Sequence, residues 1–152
     1  LQRKGEKLRL NFEAHHYGPY SVQVNHVLLH LNGTYLKGME HNMPKPFEPL
    51  QLNYNKFKEV NSYIKTKLKQ EQIQRLEEVI QLLDRFESTF ALELLATVDY
   101  IKSNQSAKNV EEVLESISNW SERKTNLFKP HQVEIALEHL SNYSSNPFTT
   151  SA

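Results

Sequence analysis

The chain has 152 residues, no cysteine, and 18 basic against 18 acidic side chains. That length suffices for one domain with a real core. The lack of cysteine excludes disulfides and thiolate metal sites and fits a reducing, cytoplasmic setting, and no run approaches the ~20 apolar residues of a membrane span.

The zero net charge hides an uneven distribution. Residues 55–69 hold five Lys and one Glu, whereas residues 71–122 hold eleven acids and four bases. The basic stretch reads as a solvated helix face or a nucleic-acid patch. The acidic one reads as a solvated face or a surface for a basic partner.

Leu1 to Gly5 resembles the last turn of a helix, with Arg3 and Lys4 at the negative end of the dipole and Gly5 just past it. The chain is therefore expected to be a fragment of a larger protein with its first helix truncated. Leu8, Leu10 and Phe12 alternate with polar residues, the period of a half-buried strand. Gly18-Pro19 signals a turn. Val24, Val27, Leu28 and Leu31 then mark one helix face, which Asn32-Gly33 stops. Tyr35 to Met39 predicts a strand, 40–49 a long loop, and Leu50 with Leu52 a return strand. Helix, strand, loop, strand is the order of a winged-helix module.

The remainder predicts helices. Phe57, Val60, Ile64 and Leu68 form one stripe, and Ile73, Leu76, Ile80 and Leu83 the next. Phe90, Leu94, Val98 and Ile101 form a third, with Ser88 or Thr89 as N-cap. Asn109 caps a fourth in a capping-box arrangement with Glu112, burying Val110, Val113, Leu114 and Ile117. Pro130 suits a helix first turn, and Val133, Ala136, Leu137 and Leu140 follow it. The expected fold class is α+β and mostly helical, with a winged-helix-like N-terminal part followed by a helical bundle. Residues 1–143 are expected to form a single domain, and 144–152 a flexible Ser/Thr/Pro-rich tail.

Motifs for chemistry are sparse. Glycines at 5, 18, 33 and 38 build no phosphate loop, and neither a nucleophile elbow nor a His-Glu-x-x-His pattern occurs. Glu77-Glu78 and Glu111-Glu112 are adjacent and so diverge on a helix. His26 and His30 are spaced to reach one metal ion. They lie opposite the apolar stripe without a third ligand, so solvent exposure or partner contact is the expectation. Tyr17 and Tyr20, in the His15–Tyr20 segment, either anchor a contact, stack on bases, or pack on a neighbouring helix. Trp120 and Arg123 are hot-spot residue types; alternatively Trp120 and Phe128 cap the core while Arg123 and Lys124 complement a helix end. A recognition helix over 21–31 would present Gln23, Asn25, His26 and His30 but neither Arg nor Lys, which argues against duplex binding.

Four blocks, in order, carry a resemblance: Leu10-Asn11-Phe12 with His16 to Tyr20; Leu31 to Gly38; Phe86-Glu87 with Glu93 to Val98; and Trp120 to Lys124 with Leu127 to Pro130. Together they resemble the C-terminal domain of the DarG-type antitoxins, the DNA ADP-ribosyl glycohydrolase family. Tyr-Gly-Pro-Tyr before an amphipathic helix is also similar to antitoxin domains of the Panacea type. The resemblance implies a toxin-binding domain whose parent carries hydrolase activity in a macrodomain that this chain does not contain. The expected function is therefore non-catalytic neutralisation of a cognate DNA ADP-ribosyltransferase toxin by protein–protein contact, with no cofactor and no metal. The partner-contact residues are expected to be Tyr17, Tyr20, His26, His30, Glu111, Glu112, Trp120 and Arg123. The alternative is a winged-helix-like nucleic-acid-binding regulator that uses the wing and the Lys56–Lys69 helix.

Overall fold

The computed structural model describes residues 1–39 and 49–144. Most of the loop expected over 40–49 and of the tail expected over 144–152 lies outside the described residues. The elements are strands β1 (Glu13–His15) and β2 (Gly18–Tyr20), helix α1 (Val22–Leu31), strands β3 (Leu36–Lys37) and β4 (Gln51–Leu52), then helices α2 (Phe57–Lys67), α3 (Gln70–Leu83), α4 (Thr89–Asn104), α5 (Val110–Trp120), α6 (Glu122–Leu127) and α7 (Pro130–Ser144). The result is a mostly helical fold with two small antiparallel sheets, as an α+β class requires. The chain divides into two compact units, 1–12 with 21–77, and 13–20 with 78–152. The β1–β2 hairpin thus belongs with the C-terminal helices.

In the first unit the strand expected at Leu8–Phe12 does not form. Gln2 replaces it: its side-chain amide donates to the Leu10 carbonyl at 2.8 Å, and its side-chain carbonyl accepts the Leu10 N–H at 2.6 Å. One side chain thereby satisfies the backbone groups that a strand partner would take, and Arg9, at φ 55, breaks the extended run. Glu6 anchors the same segment to α3, accepting from Gln72 at 2.8 Å and Arg75 at 2.7 Å. These two bonds, Gln72 first, hold the Glu6 carboxyl below its ordinary pKa.

Helix α1 ends as its sequence predicts, with Asn32 at the C-cap and Gly33 at φ 82, a region that disfavours any side chain. Its apolar stripe is less buried than expected: Val27 is exposed and no α1 residue is fully buried. Strands β3 and β4 pair antiparallel, Leu36 opposite Leu52 and Lys37 opposite Gln51, shorter than the sequence suggested but in the same order. The α2 stripe also faces outward at Phe57 and Val60. On α3 the inward face includes Val79, and Ile80, expected inside, is 61% exposed.

The second unit holds a contiguous core. Leu94, Val98 and Ile101 of α4 meet Val113 and Ile117 of α5 and Val133, Ala136, Leu137 and Leu140 of α7, with Phe86 and Phe128 closing the ends. The third, fourth and last predicted stripes therefore bury as their spacing requires. Ser88 caps α4 by accepting the Ala91 N–H at 3.1 Å. Asn109 caps α5 by accepting the Glu112 N–H at 2.9 Å, and Glu112 returns to the Lys108 N–H at 2.8 Å and the Asn109 side-chain amide at 3.1 Å. The segment read as the close of one helix is two: Ser121 ends α5 and caps α6, accepting the Lys124 N–H at 3.2 Å.

The α5 cap generates a test. Asn109→Ala removes the cap and loosens the Glu112 return bonds, so urea unfolding should lose about 1 kcal/mol with an unchanged m-value.

Candidate functional site

In the second unit the hairpin, α4 and the α5–α6 corner form one constellation. The hairpin turn falls at His16-Tyr17 rather than at Gly18-Pro19, because His15 pairs with Gly18 and Ala14 with Pro19. Gly18, at φ 135, holds a backbone that side chains disfavour and faces Thr97 of α4. Trp120, the last residue of α5, donates its indole N–H to the His15 carbonyl at 3.0 Å and meets Tyr100 edge-on at 5.3 Å. The indole is therefore half-spent on holding the hairpin, an arrangement that suits a ring with one polar edge.

Beneath the hairpin lies an ion cluster. Arg123 grips Glu93 with both terminal nitrogens, at 2.6 and 3.1 Å, and stacks its guanidinium over the Tyr17 ring at 5.1 Å. Lys124 is 0% exposed. Its ammonium donates to Glu93 at 2.7 Å and to the Thr97 hydroxyl at 3.3 Å, and lies 5.3 Å from the Trp120 ring centre and 5.2 Å from that of Phe128. A buried ammonium survives only with such partners. Burial favours the neutral Glu93 carboxyl, but the bonds from Arg123 and Lys124 outweigh it and hold its pKa below the ordinary value. Burial lowers the Lys124 pKa, against the opposing pull of Glu93.

The adjoining surface is a cleft of about 520 Å³, lined by His15, His16, Ser116, Asn119, Trp120 and Ser121 among others. Glu111 and Glu115, one turn apart on α5, are exposed. Glu112 is exposed too, but its carboxylate is committed to the helix cap.

Of the expected contact residues, Tyr17, Trp120 and Arg123 come together here. Tyr20 sits in β2 with its ring 5.3 Å from that of His15. His26 and His30 belong to the first unit, exposed on α1, with the His30 ring Nδ1 2.7 Å from the His26 carbonyl. Among the described residues no group of three or more His, Asp or Glu is placed to hold a metal ion. Likewise no described helix is long and apolar enough to cross a membrane. Sequence reasoning missed Glu93 and the buried Lys124. The available signal was a lone carboxylate at the edge of the α4 stripe, four residues before Thr97, and two adjacent cations elsewhere.

Removing one partner of this cluster should cost far more than removing its buried charge. Glu93→Ala, which strands Lys124, is expected to lose about 3–5 kcal/mol in urea unfolding, and Lys124→Met much less. Because the Glu93 carboxyl binds its proton more weakly folded than unfolded, its contribution is present above the unfolded carboxyl pKa, about 4.3, and is lost as pH falls through the lower folded value. Unfolding free energies measured down an acid series should fall more steeply for the wild type than for Glu93→Gln.

No family model matches the chain. It is 23% identical over 136 residues to a DNA ADP-ribosyl glycohydrolase of Mycobacterium tuberculosis, which covers 88% of this chain and 39% of that protein. A DNA ADP-ribosyl glycohydrolase of Thermus aquaticus is 27% identical over 140 residues, covering 92% of this chain and 38% of that protein. The chain thus spans under two-fifths of the length of these curated relatives. The resemblance first carried by the four sequence blocks is borne out: the chain is a homologue, over most of its length, of a part of the DNA ADP-ribosyl glycohydrolases.

Proposed function

We propose that residues 1–143 act as a non-catalytic antitoxin domain that binds a cognate DNA ADP-ribosyltransferase and neutralises it by direct contact, in the cytoplasm. The observation that carries this reading is the match itself, which spans nearly all of this chain but under two-fifths of each DNA ADP-ribosyl glycohydrolase. In the family this chain resembles, hydrolysis belongs to a separate macrodomain and toxin binding to the C-terminal domain. The charge pattern agrees. A toxin that modifies DNA must offer a basic groove, and the exposed Glu111 and Glu115 present two carboxylates about a helical turn apart. The contact set proposed is Tyr17, Tyr20, Trp120 and Arg123 around the hairpin and Glu111 in the first turn of α5, with His26 and His30 as a separate patch. The ordering of α1, β3 and β4 supports a winged-helix-like description of the first unit, used here as a protein-binding module without a basic recognition helix.

The test is co-purification of this domain with the toxin, read by calorimetry and by modification of DNA. Binding with loss of modification is the expected result; a folded domain that leaves the toxin active removes the proposal. Glu111→Lys with Glu115→Lys, which spares the Glu112 cap, should weaken binding by about tenfold or more with an unchanged circular dichroism spectrum. Undiminished affinity would show that this acidic face is not the contact.

A further inference from the structure

One edge of the β1–β2 hairpin is open, and Pro19 decides which backbone groups it offers. In an antiparallel ladder, pairs that exchange both backbone bonds alternate with pairs that exchange none. Proline has no N–H, so Ala14 and Pro19 form a pair of the second kind, and the flanking pairs Glu13 with Tyr20 and His15 with Gly18 carry the bonds. The N–H and C=O of Ala14 therefore point away from β2. Ala14 is exposed, and among the described residues neither group has a hydrogen-bond partner. The other edge of the hairpin differs. There the outward position is Pro19 itself, which offers a carbonyl but no donor, and β2 packs on α4 with Gly18 facing Thr97. A proline and a covering helix both close a sheet edge. The hairpin is thus open to a further strand on the β1 side and closed on the β2 side.

The surroundings of that edge suit an extended polypeptide. Ala14 lines the cleft of about 520 Å³ beside the hairpin, and so do Gln105, Ser116 and Asn119. The side chains of these three make no hydrogen bond among the described residues, so two amides and a hydroxyl are available to an occupant. The bond from the Trp120 indole to the His15 carbonyl holds β1 in place, so the edge is ordered before an occupant arrives. An N–H and a C=O on one extended residue are matched by the C=O and N–H of another extended backbone. Among the described residues no Lys or Arg lines the cleft, which leaves nothing there to neutralise a phosphate. A second copy would bring its own α5–α6 corner alongside the strand it offers, whereas a cleft of this volume admits a chain segment and not a domain.

We propose that an extended segment of the toxin adds to β1 as a third strand, bonding to both backbone groups of Ala14 and lying in the cleft against Gln105, Ser116 and Asn119. The proposal rests on the antitoxin reading and specifies how the partner is held. Ala14→Pro is the selective probe. It removes the outward N–H and sets a ring in the path of an incoming strand, but takes no bond from the β1–β2 ladder. Ala14→Ser keeps the N–H and is the control. By calorimetry, Ala14→Pro should weaken toxin binding about tenfold or more, and Ala14→Ser by less than about threefold, both with the circular dichroism and Trp120 emission of the wild type. Amide exchange read by NMR tests the same bond without a variant: the Ala14 N–H should exchange fast in the free chain and be protected in the complex. Toxin binding undiminished in Ala14→Pro, or an Ala14 amide that exchanges as fast in the complex as in the free chain, overturns the proposal and leaves the antitoxin reading standing. A wild-type chain that does not bind the toxin removes both. A concentration-dependent dimer of the toxin-free chain, lost in Ala14→Pro, would assign the edge to a second copy and also overturns the proposal.

Discussion

The architecture of the second unit depends on one carboxylate. Glu93 is the counter-charge for both Arg123 and the fully buried Lys124, and through them it reaches the hairpin turn at Tyr17 and the rings of Trp120 and Phe128. Isolated surface ion pairs contribute little, because solvent screens them and long side chains lose entropy in making them. This cluster differs on both counts. One acceptor orders two cations, Lys124 has no access to water, and two aromatic faces replace part of the hydration shell it gave up. The cluster therefore acts less as a source of net stability than as a constraint on geometry. The placement of α6 against α4 that satisfies the ammonium also sets where Arg123 presents its guanidinium to Tyr17.

Three of the blocks that carry the family resemblance converge on this point. His16 to Tyr20 forms the turn and β2, Glu93 to Val98 supplies the carboxylate and Thr97, and Trp120 to Lys124 supplies the indole and both cations. Residues separated by about a hundred positions thus form one bonded set, as the Trp120 indole bond to the His15 carbonyl shows directly. A resemblance spread thinly along the chain becomes, in three dimensions, a resemblance concentrated at one place.

Helical periodicity was legible where a helix buries one continuous face against others. The same spacing does not ensure burial in every helix, and the contrast lies between Val113 and Ile117, buried as predicted, and Phe57 and Ile80, which are exposed. The pattern that identifies an apolar stripe does not say what covers it. The caps at Ser88 and Asn109 were legible because they are local bonds between residues three apart. The false strand at Leu8–Phe12 arose because alternation is a short-range signal, while the fate of that backbone rests on Gln2, eight residues before Leu10. The ion cluster was illegible for the same reason in stronger form, since nothing local to Glu93 specifies partners thirty residues away.

The charges that remain outside these structural duties then carry the argument about function. Glu93 is consumed by the core and Glu112 by a helix cap, so the acidic stretch offers fewer carboxylates to a partner than its composition suggests. Glu111 and Glu115 are exposed on α5, the helix that also lines the cleft beside the hairpin through Ser116, Asn119 and Trp120. On the first unit the balance is reversed: apolar rings lie open beside a lysine-rich helix. On the proposed antitoxin reading, the acidic face of α5 is the surface of the second unit left to meet a basic partner. Complementary charge sets the rate and register of approach, and buried aromatic anchors set how long the complex lasts.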